Sequence, residues 1–430
     1  ESAEESAEES AEESAEENAE ESAEENAEDK AEAMDEHDDD QIEDFLLERD
    51  SEAIRSDLAE RVYEDLGERD LVVQQELLVL ASGQQIDTLT SRSELALVSR
   101  RALQQLPGTL ARFRVGGAYS PEQLRTRLQR QFPDAFIDLN HGYKISRGPQ
   151  EYAGKGSLTG GIYRLPDNQA NKQFRIGMID TDVDVSHAVF ANSQITRKNF
   201  LSENQRGSMI HGTGVASLLV GETENFRGIA TGHHLFAASI FTLDPDVGLV
   251  ATSHDLIAAM DWLISQKVDA INISLAGPEN QVVAAVINRV ADANILLVAS
   301  VGNAGPFAGP QYPAAYSQVI GVTAVDRAGR LYSRAGRGSH VDYAGPGVAI
   351  EVAQAETETG FTAVSGTSYA TPLITGLLLA YKEDTEESLN TLRAQVKADV
   401  IDLGQPGRDP LYGDGLPGKG WIMTRVPSSN

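Results

Sequence analysis

The chain has 430 residues, of which 41% are apolar, enough to bury a large core in two or three folded units. Its formal charge of −31 argues against nucleic acid as a partner, and the absence of cysteine excludes a disulfide framework, a thiol nucleophile and a thiolate zinc site. No apolar run approaches the roughly 18 residues that a membrane-spanning helix requires, so no transmembrane segment is expected.

Residues 1–44 hold 23 acidic side chains against one lysine, and so carry −22 of the −31, leaving −9 for everything else. They open with eight tetrads of Glu-Ser/Asn-Ala-Glu, the last degraded to Asp-Lys-Ala-Glu. A period of four drifts around a helix and leaves no apolar stripe to pack, so a solvated, disordered tail is expected. Its affinity for calcium would be low, because each ion would have to order a flexible segment. The chain starts at Glu1 without methionine, consistent with removal of a leader and a secreted or periplasmic location. Residues 45–70 space Phe45, Leu46, Ile54, Leu58, Val62 and Leu66 at helical intervals and read as an amphipathic helical segment.

Residues 71–144 change texture. Short apolar runs ("ELLVLAS", "LARFRV", "DAFIDLNHGY") alternate with helical patterns such as "SPEQLRTRLQRQF". In the latter, Ser120 is an N-cap, Pro121 occupies the first helical position and Glu122 suits the positive helix end. This is a small α+β module. A Gly-, Lys- and Asn-rich linker without periodicity follows over 145–164. From 165 to 430 near-continuous apolar strands ("FRIGMID", "HLFAASIF", "DAINISLA", "ILLVASVGN", "VIGVTAVD") alternate with amphipathic helices. That pattern predicts an α/β domain whose mostly parallel sheet is covered by helices on both faces.

In such sheets chemistry collects beyond the carboxyl ends of the strands. Asp180 ends one strand, Asn303 follows another, and His211 and Ser368 each open a helix at a Gly-Thr step. Taken singly, each reads as a turn former or a helix cap. Together they fill the four roles that acyl transfer needs: nucleophile, base, orienter of the base and oxyanion donor.

Three segments, "IGMIDTDVDVSH", "HGTGVASLLVG" and "SGTSYATPLITG", resemble the catalytic segments of subtilisin-like serine proteases in that family's order. "INISLAGP", "VASVGNAGP", "YPAAYSQVIGVTAVD" and "DLGQPGRDPLYGDGL" resemble its secondary motifs, and the similarity spans about 165 to 417. The resemblance implies a subtilisin-like α/β fold and a serine endopeptidase acting on polypeptides. Ser368 would be the nucleophile, His211 the base and Asp180 its orienter, with Asn303 and the Ser368 N–H as oxyanion donors. Substrate would add as a strand along Ser274, Leu275 and Ala276, with Ser300, Gly302 and Gln311 lining the first pocket. Ala276 and Gln311 stand where many relatives have glycine. No cofactor is required for catalysis, no catalytic metal is expected, and structural calcium is left open without an assignable ligand set.

Two further expectations follow from the resemblance. Asp182 stands where the family usually has glycine, so a second carboxylate near Asp180 is expected to raise the activity optimum in pH. The 71–144 module resembles the family's propeptide, an intramolecular inhibitor. Residues Asn140 to Tyr143 would then fill the subsites and the chain would be cut between Tyr143 and Lys144. His187, His233, His234, His254 and His340 fall outside the catalytic pattern. Two other readings stay open: a catalytically silent peptide-binding relative, and a calcium-responsive surface protein acting through its acidic repeat.

Overall fold

Backbone hydrogen bonding across sequence-distant strands shapes most of the molecule. The computed structural model describes residues 63–65, 71–146, 163, 173–202, 205, 207–382 and 388–422. The expected acidic tail 1–44 and most of the expected helical segment 45–70 lie outside these residues. Within the latter, Tyr63–Asp65 forms strand β1 rather than helix, antiparallel to Leu71–Val73. An open strand edge supplies backbone partners that helical spacing cannot reveal.

The module runs β2 (Leu71–Ala81), α1 (Gly83–Thr90), β3 (Leu95–Ala102), β4 (Thr109–Val115), α2 (Pro121–Gln131) and β5 (Phe136–Ile145). Its strands lie in the antiparallel order β3-β4-β2-β5. Ser82 and Gln85 cap α1 reciprocally, and Ser120 caps α2 by accepting from the Gln123 N–H at 3.4 Å, as the sequence predicts. Leu77, Val79, Ile86, Phe113, Leu124, Leu128 and Ile137 are buried between sheet and helices. The opposite sheet face, with Leu78, Leu80 and Leu110, joins a different core, described next.

The α/β domain contributes β6 (Arg175–Asp180), β7 (Gln194–Asn199), β8 (His234–Ser239), β9 (Thr242–Asp244), β10 (Gly248–Thr252), β11 (Ala270–Ile273), β12 (Leu275–Ala276), β13 (Leu296–Ser300), β14 (Val319–Val325) and β15 (Tyr343–Pro346). Seven of these form a fully parallel sheet in the order β15-β14-β13-β11-β6-β8-β7. Side chains alternate across it: Ile176, Met178 and Val298 face helices α3 (Ile210–Val220) and α6 (Thr367–Tyr381). Ile179, Ile271 and Leu297 face α4 (Ser253–Ser265) and α5 (Gln281–Asp292), whose core also takes in the module's Leu78 and Leu80. Burial on both faces explains the unbroken apolar strands.

The expected linker 145–164 lies for the most part outside the described residues. Strand β5 runs one residue past the expected boundary and is held between β10 and β12, so one antiparallel sheet spans both parts. The described residues accordingly belong to one compact unit. Of the expected linker, Ile145 ends β5, Ser146 follows it, and Tyr163 bridges to Ile422. Among the described residues no helix is long and apolar enough to cross a membrane.

Candidate active site

Strand β6 marks the point where the chain reverses direction across the sheet: β8 and β7 build outward on one side, β11, β13, β14 and β15 on the other. Asp180 ends β6 at its carboxyl edge, where open α/β sheets gather ligands. The loop after it is tied to the start of α3 by a hydrogen bond from the Gly212 N–H to Thr181 Oγ1 at 2.7 Å. That tie sets His211, in the first turn of α3, beside Asp180.

Asp180, His211 and Ser368 are brought together. His211 Nδ1 lies 2.7 Å from Asp180 Oδ1 and its Nε2 lies 2.9 Å from Ser368 Oγ, with all three side chains fully buried. Asp180 Oδ1 also accepts from the Thr181 N–H, which fixes the carboxylate plane. The Tyr369 ring packs on the imidazole with centroids 4.9 Å apart.

Ser368 sits in the first turn of α6, ahead of Pro372. Proline has no N–H to give the carbonyl four residues back, so the Ser368 carbonyl loses its helical donor. Ser274 Oγ donates to it instead at 3.3 Å, within a buried chain that links Ser274 to Asn272 and Thr375. The Ser368 carbonyl is thus satisfied by a side chain at the end of a neighbouring strand.

Asn303 is oriented by its own acceptor. Its Oδ1 accepts from the Thr367 N–H at 3.2 Å and from Thr367 Oγ1 at 2.9 Å. Its Nδ2 is left buried with no hydrogen bond among the described residues. An unpaired buried donor costs about 1–3 kcal/mol.

The cleft beside these residues is filled by the chain itself. Lys144 pairs with Val250 and Ala276, Ile145 with Leu275, and Tyr143 with Ala251. The Ser146 N–H donates to the Ser274 carbonyl at 3.4 Å, and the Ser368 N–H donates to the Ser146 carbonyl at 3.2 Å. Ser274, Leu275 and Ala276 thus pair with residues 144–146 of the chain itself. Gly302 and Gln311 lie next to Ala276, and Ser300 ends β13, fully buried. The second wall, β10, escaped the sequence reading. Its signal was an apolar run ending in Thr252, whose hydroxyl accepts from the Asp255 N–H at 3.3 Å to cap α4.

The register differs from the expected one by three residues. Ser146, not Tyr143, presents its carbonyl to Ser368, and Tyr143 lies about 10 Å upstream in extended chain. Simultaneous pairing with β10 and β12 fixes this alignment, and it carries the Tyr143 ring into full burial with its hydroxyl on the Pro278 carbonyl at 3.3 Å. Lys144 is exposed.

The Asp182 carboxylate pairs with Arg197 at 3.1 Å, and the Asp182 N–H donates to the Ser208 carbonyl at 3.0 Å. His187 caps a short turn, accepting from the Val189 N–H. His254 pairs with Asp255, and His234 with Thr196. Among the described residues no group of three or more His, Cys, Asp or Glu side chains is gathered to hold a metal.

Polar contacts anchor the module beyond the cleft. Asp138 Oδ2 accepts from the Gln281 N–H at 2.8 Å, and Asn140 Oδ1 from the His254 N–H at 3.2 Å, at the starts of α5 and α4. Buried Asp261 accepts from the Gln104 and Gln105 N–H groups at 3.0 and 2.9 Å.

The chain is 28% identical over 253 residues to the minor extracellular protease Epr of Bacillus subtilis, covering 57% of this chain and 38% of that one. It is 32% identical over 218 residues to subtilisin of Bacillus pumilus, covering 47% of this chain and 74% of that one. The chain thus spans well under half the length of the first of these relatives. The solved structure of fervidolysin from Fervidobacterium pennivorans shares the fold, with a TM-score of 0.66 at 17% identity over 86% of this chain and 63% of that one. The family model described as the Subtilase family matches residues 171–415, more than half of the sequence and the whole of the region holding Asp180, His211, Asn303 and Ser368, and the chain belongs to that family.

Proposed function

We propose that the chain is a serine endopeptidase made as a self-processing zymogen, cut between Ser146 and Arg147. The observation that carries this reading is the Ser146 carbonyl held by the Ser368 N–H, three atoms from a hydroxyl that already bonds to His211. Ser368 Oγ attacks the carbonyl carbon while His211 Nε2 takes its proton. Asp180 holds the tautomer with the proton on Nδ1 and stabilises the imidazolium. The oxyanion forms between the Ser368 N–H and Asn303 Nδ2, and the amine leaves with the proton from His211. Water then releases the acyl group by the same steps. The module stays docked through Asp138, Asn140 and Asp261 and blocks the cleft until it leaves. A relative named as extracellular fits action outside the cytoplasm, which belongs to the proposal.

The test is intact mass of the wild-type chain and of Ser368→Ala after incubation, with a fluorophosphonate probe added to each. Wild type is expected to divide after Ser146 and to take up the probe at Ser368, and the variant to do neither. A wild-type chain that stays whole and unlabelled would overturn the reading.

A further inference from the structure

Two buried groups at the carboxyl edge of the parallel sheet lack a partner and stand side by side. Asp180 Oδ1 takes both donors that reach the carboxylate, the His211 imidazole and the Thr181 N–H, at 2.7 Å each. Asp180 Oδ2 is buried with no hydrogen bond to any described residue. Ser239 Oγ is in the same condition, on a residue 2% exposed. A buried polar group left unpaired costs about 1–3 kcal/mol, and here an acceptor and a potential donor each lack what the other offers.

Strand pairing makes them neighbours. β6 and β8 run parallel, with Asp180 opposite Ser239 as the last rung. Backbone fixes that rung: the Ile240 N–H donates to the Asp180 carbonyl at 3.1 Å and the Phe200 N–H to the Ser239 carbonyl at 2.9 Å. Side chains alternate between faces along a strand, so Asp180 shares a face with Met178, and Ser239 with Ala237. Met178 and Ala237 belong to one core, the one packed against α3. Both side chains therefore leave the sheet on the α3 side, from strands about 4.8 Å apart. The loop before α3 closes over them, and a Cβ on Gly207 would lie 3.8 Å from Ser239 Oγ. From this position the hydroxyl reaches Oδ2 by a turn about its Cα–Cβ bond or across one shared water. β8 is otherwise apolar after His234, so packing alone would be served by alanine at its end.

We propose that Ser239 is a positioning residue for the triad, its hydroxyl donating to Asp180 Oδ2 so that the carboxylate is held at both oxygens while Oδ1 serves His211. The inference rests on the triad roles proposed above. Ser239 acts through Asp180 alone. A donor on Oδ2 also draws off part of the negative charge that faces the imidazole. Without it the carboxylate holds the imidazolium more firmly, and His211 becomes a free base only at higher pH. Asp182, two residues on from Asp180, is paired with Arg197, and its charge is common to wild type and variant.

The test compares Ser239→Ala and Ser239→Cys with wild type in the full chain after incubation, by steady-state hydrolysis of a fluorogenic peptide from about pH 5 to about pH 9. Ser239→Ala is expected to lower kcat about 10-fold with KM within about twofold, and to move the acid limb of kcat/KM up by about half a pH unit. Ser239→Cys keeps nearly the same shape with a weaker donor and is expected to fall between the two; it carries the test if the alanine variant does not fold. Variants whose acid limb coincides with that of wild type would overturn the inference whatever happens to kcat, because a loss of packing leaves the limb in place. A wild-type chain that neither hydrolyses the peptide nor takes up a fluorophosphonate probe at Ser368 would overturn the triad roles, and this inference with them.

Discussion

His211 Nδ1 lies 2.7 Å from Asp180 Oδ1, both groups fully buried, so the imidazole has one available orientation and one favoured tautomer. Asp180→Asn keeps the shape but offers an amide that drives the proton to the wrong nitrogen. Turnover of a peptide substrate should fall about 10⁴-fold with the thermal midpoint little changed. A loss below tenfold would remove Asp180 from the orienting role.

Asn303 is held through its oxygen by Thr367, which leaves Nδ2 for the oxyanion. Asn303→Ala should lower kcat by about 10² to 10³, a magnitude measured in subtilisin itself, while KM moves little. A change confined to KM would mean that the amide binds the ground state instead.

Ser274 Oγ supplies the donor that Pro372 withholds from the Ser368 carbonyl. Ser274→Ala leaves that carbonyl buried and unpaired, at a cost of about 1–3 kcal/mol. Thermal unfolding in the Ser368→Ala background, where self-digestion is absent, should show a lowered midpoint. An unchanged midpoint would mean that the carbonyl finds another partner.

Asp261 is fully buried and accepts two backbone N–H bonds from the module. Hydrogen bonds to a charged acceptor contribute about 1.5–3 kcal/mol, so Asp261→Ala should speed release of the cut module by about 10- to 100-fold. The readout is the rate at which Ser368 becomes open to a fluorophosphonate probe after processing. An unchanged rate would leave the cleft strand as the sole anchor.

Burial pushes the imidazoles of His233 and His340 below the usual histidine range, against the opposing pull of Asp269 and Asp342. The unfolded chain therefore takes up protons near pH ~6.5 that the folded chain refuses until the pH is lower. Stability is fully present above that value and is lost as pH falls through the lowered folded values. The thermal midpoint of Ser368→Ala should drop between about pH 7 and about pH 5, and less steeply with His233→Asn and His340→Asn added. A midpoint independent of pH over that interval would contradict the assignment.

Much of this was legible along the chain because it is local. Apolar strands alternating with amphipathic helices announce a two-sided parallel sheet, Ser120 and Pro121 announce the start of α2, and Asp180, His211, Asn303 and Ser368 each stand at a strand end or helix entrance that the pattern marks. What the sequence could not convey depends on partners far away in the chain. Ser146 rather than Tyr143 faces Ser368 because strand register is decided by which side chain fits which wall, and those walls come from residues more than a hundred positions later. The partner of Asp182, Arg197, lies on a strand the motif does not include. The strand β10 and the anchors Asp138 and Asp261 stayed hidden for the same reason. By itself the sequence determined which chemical groups are available and which elements carry them. Only the tertiary structure decided their register and charge partners, because backbone pairing and ion pairing are satisfied by proximity in space, which local periodicity does not encode.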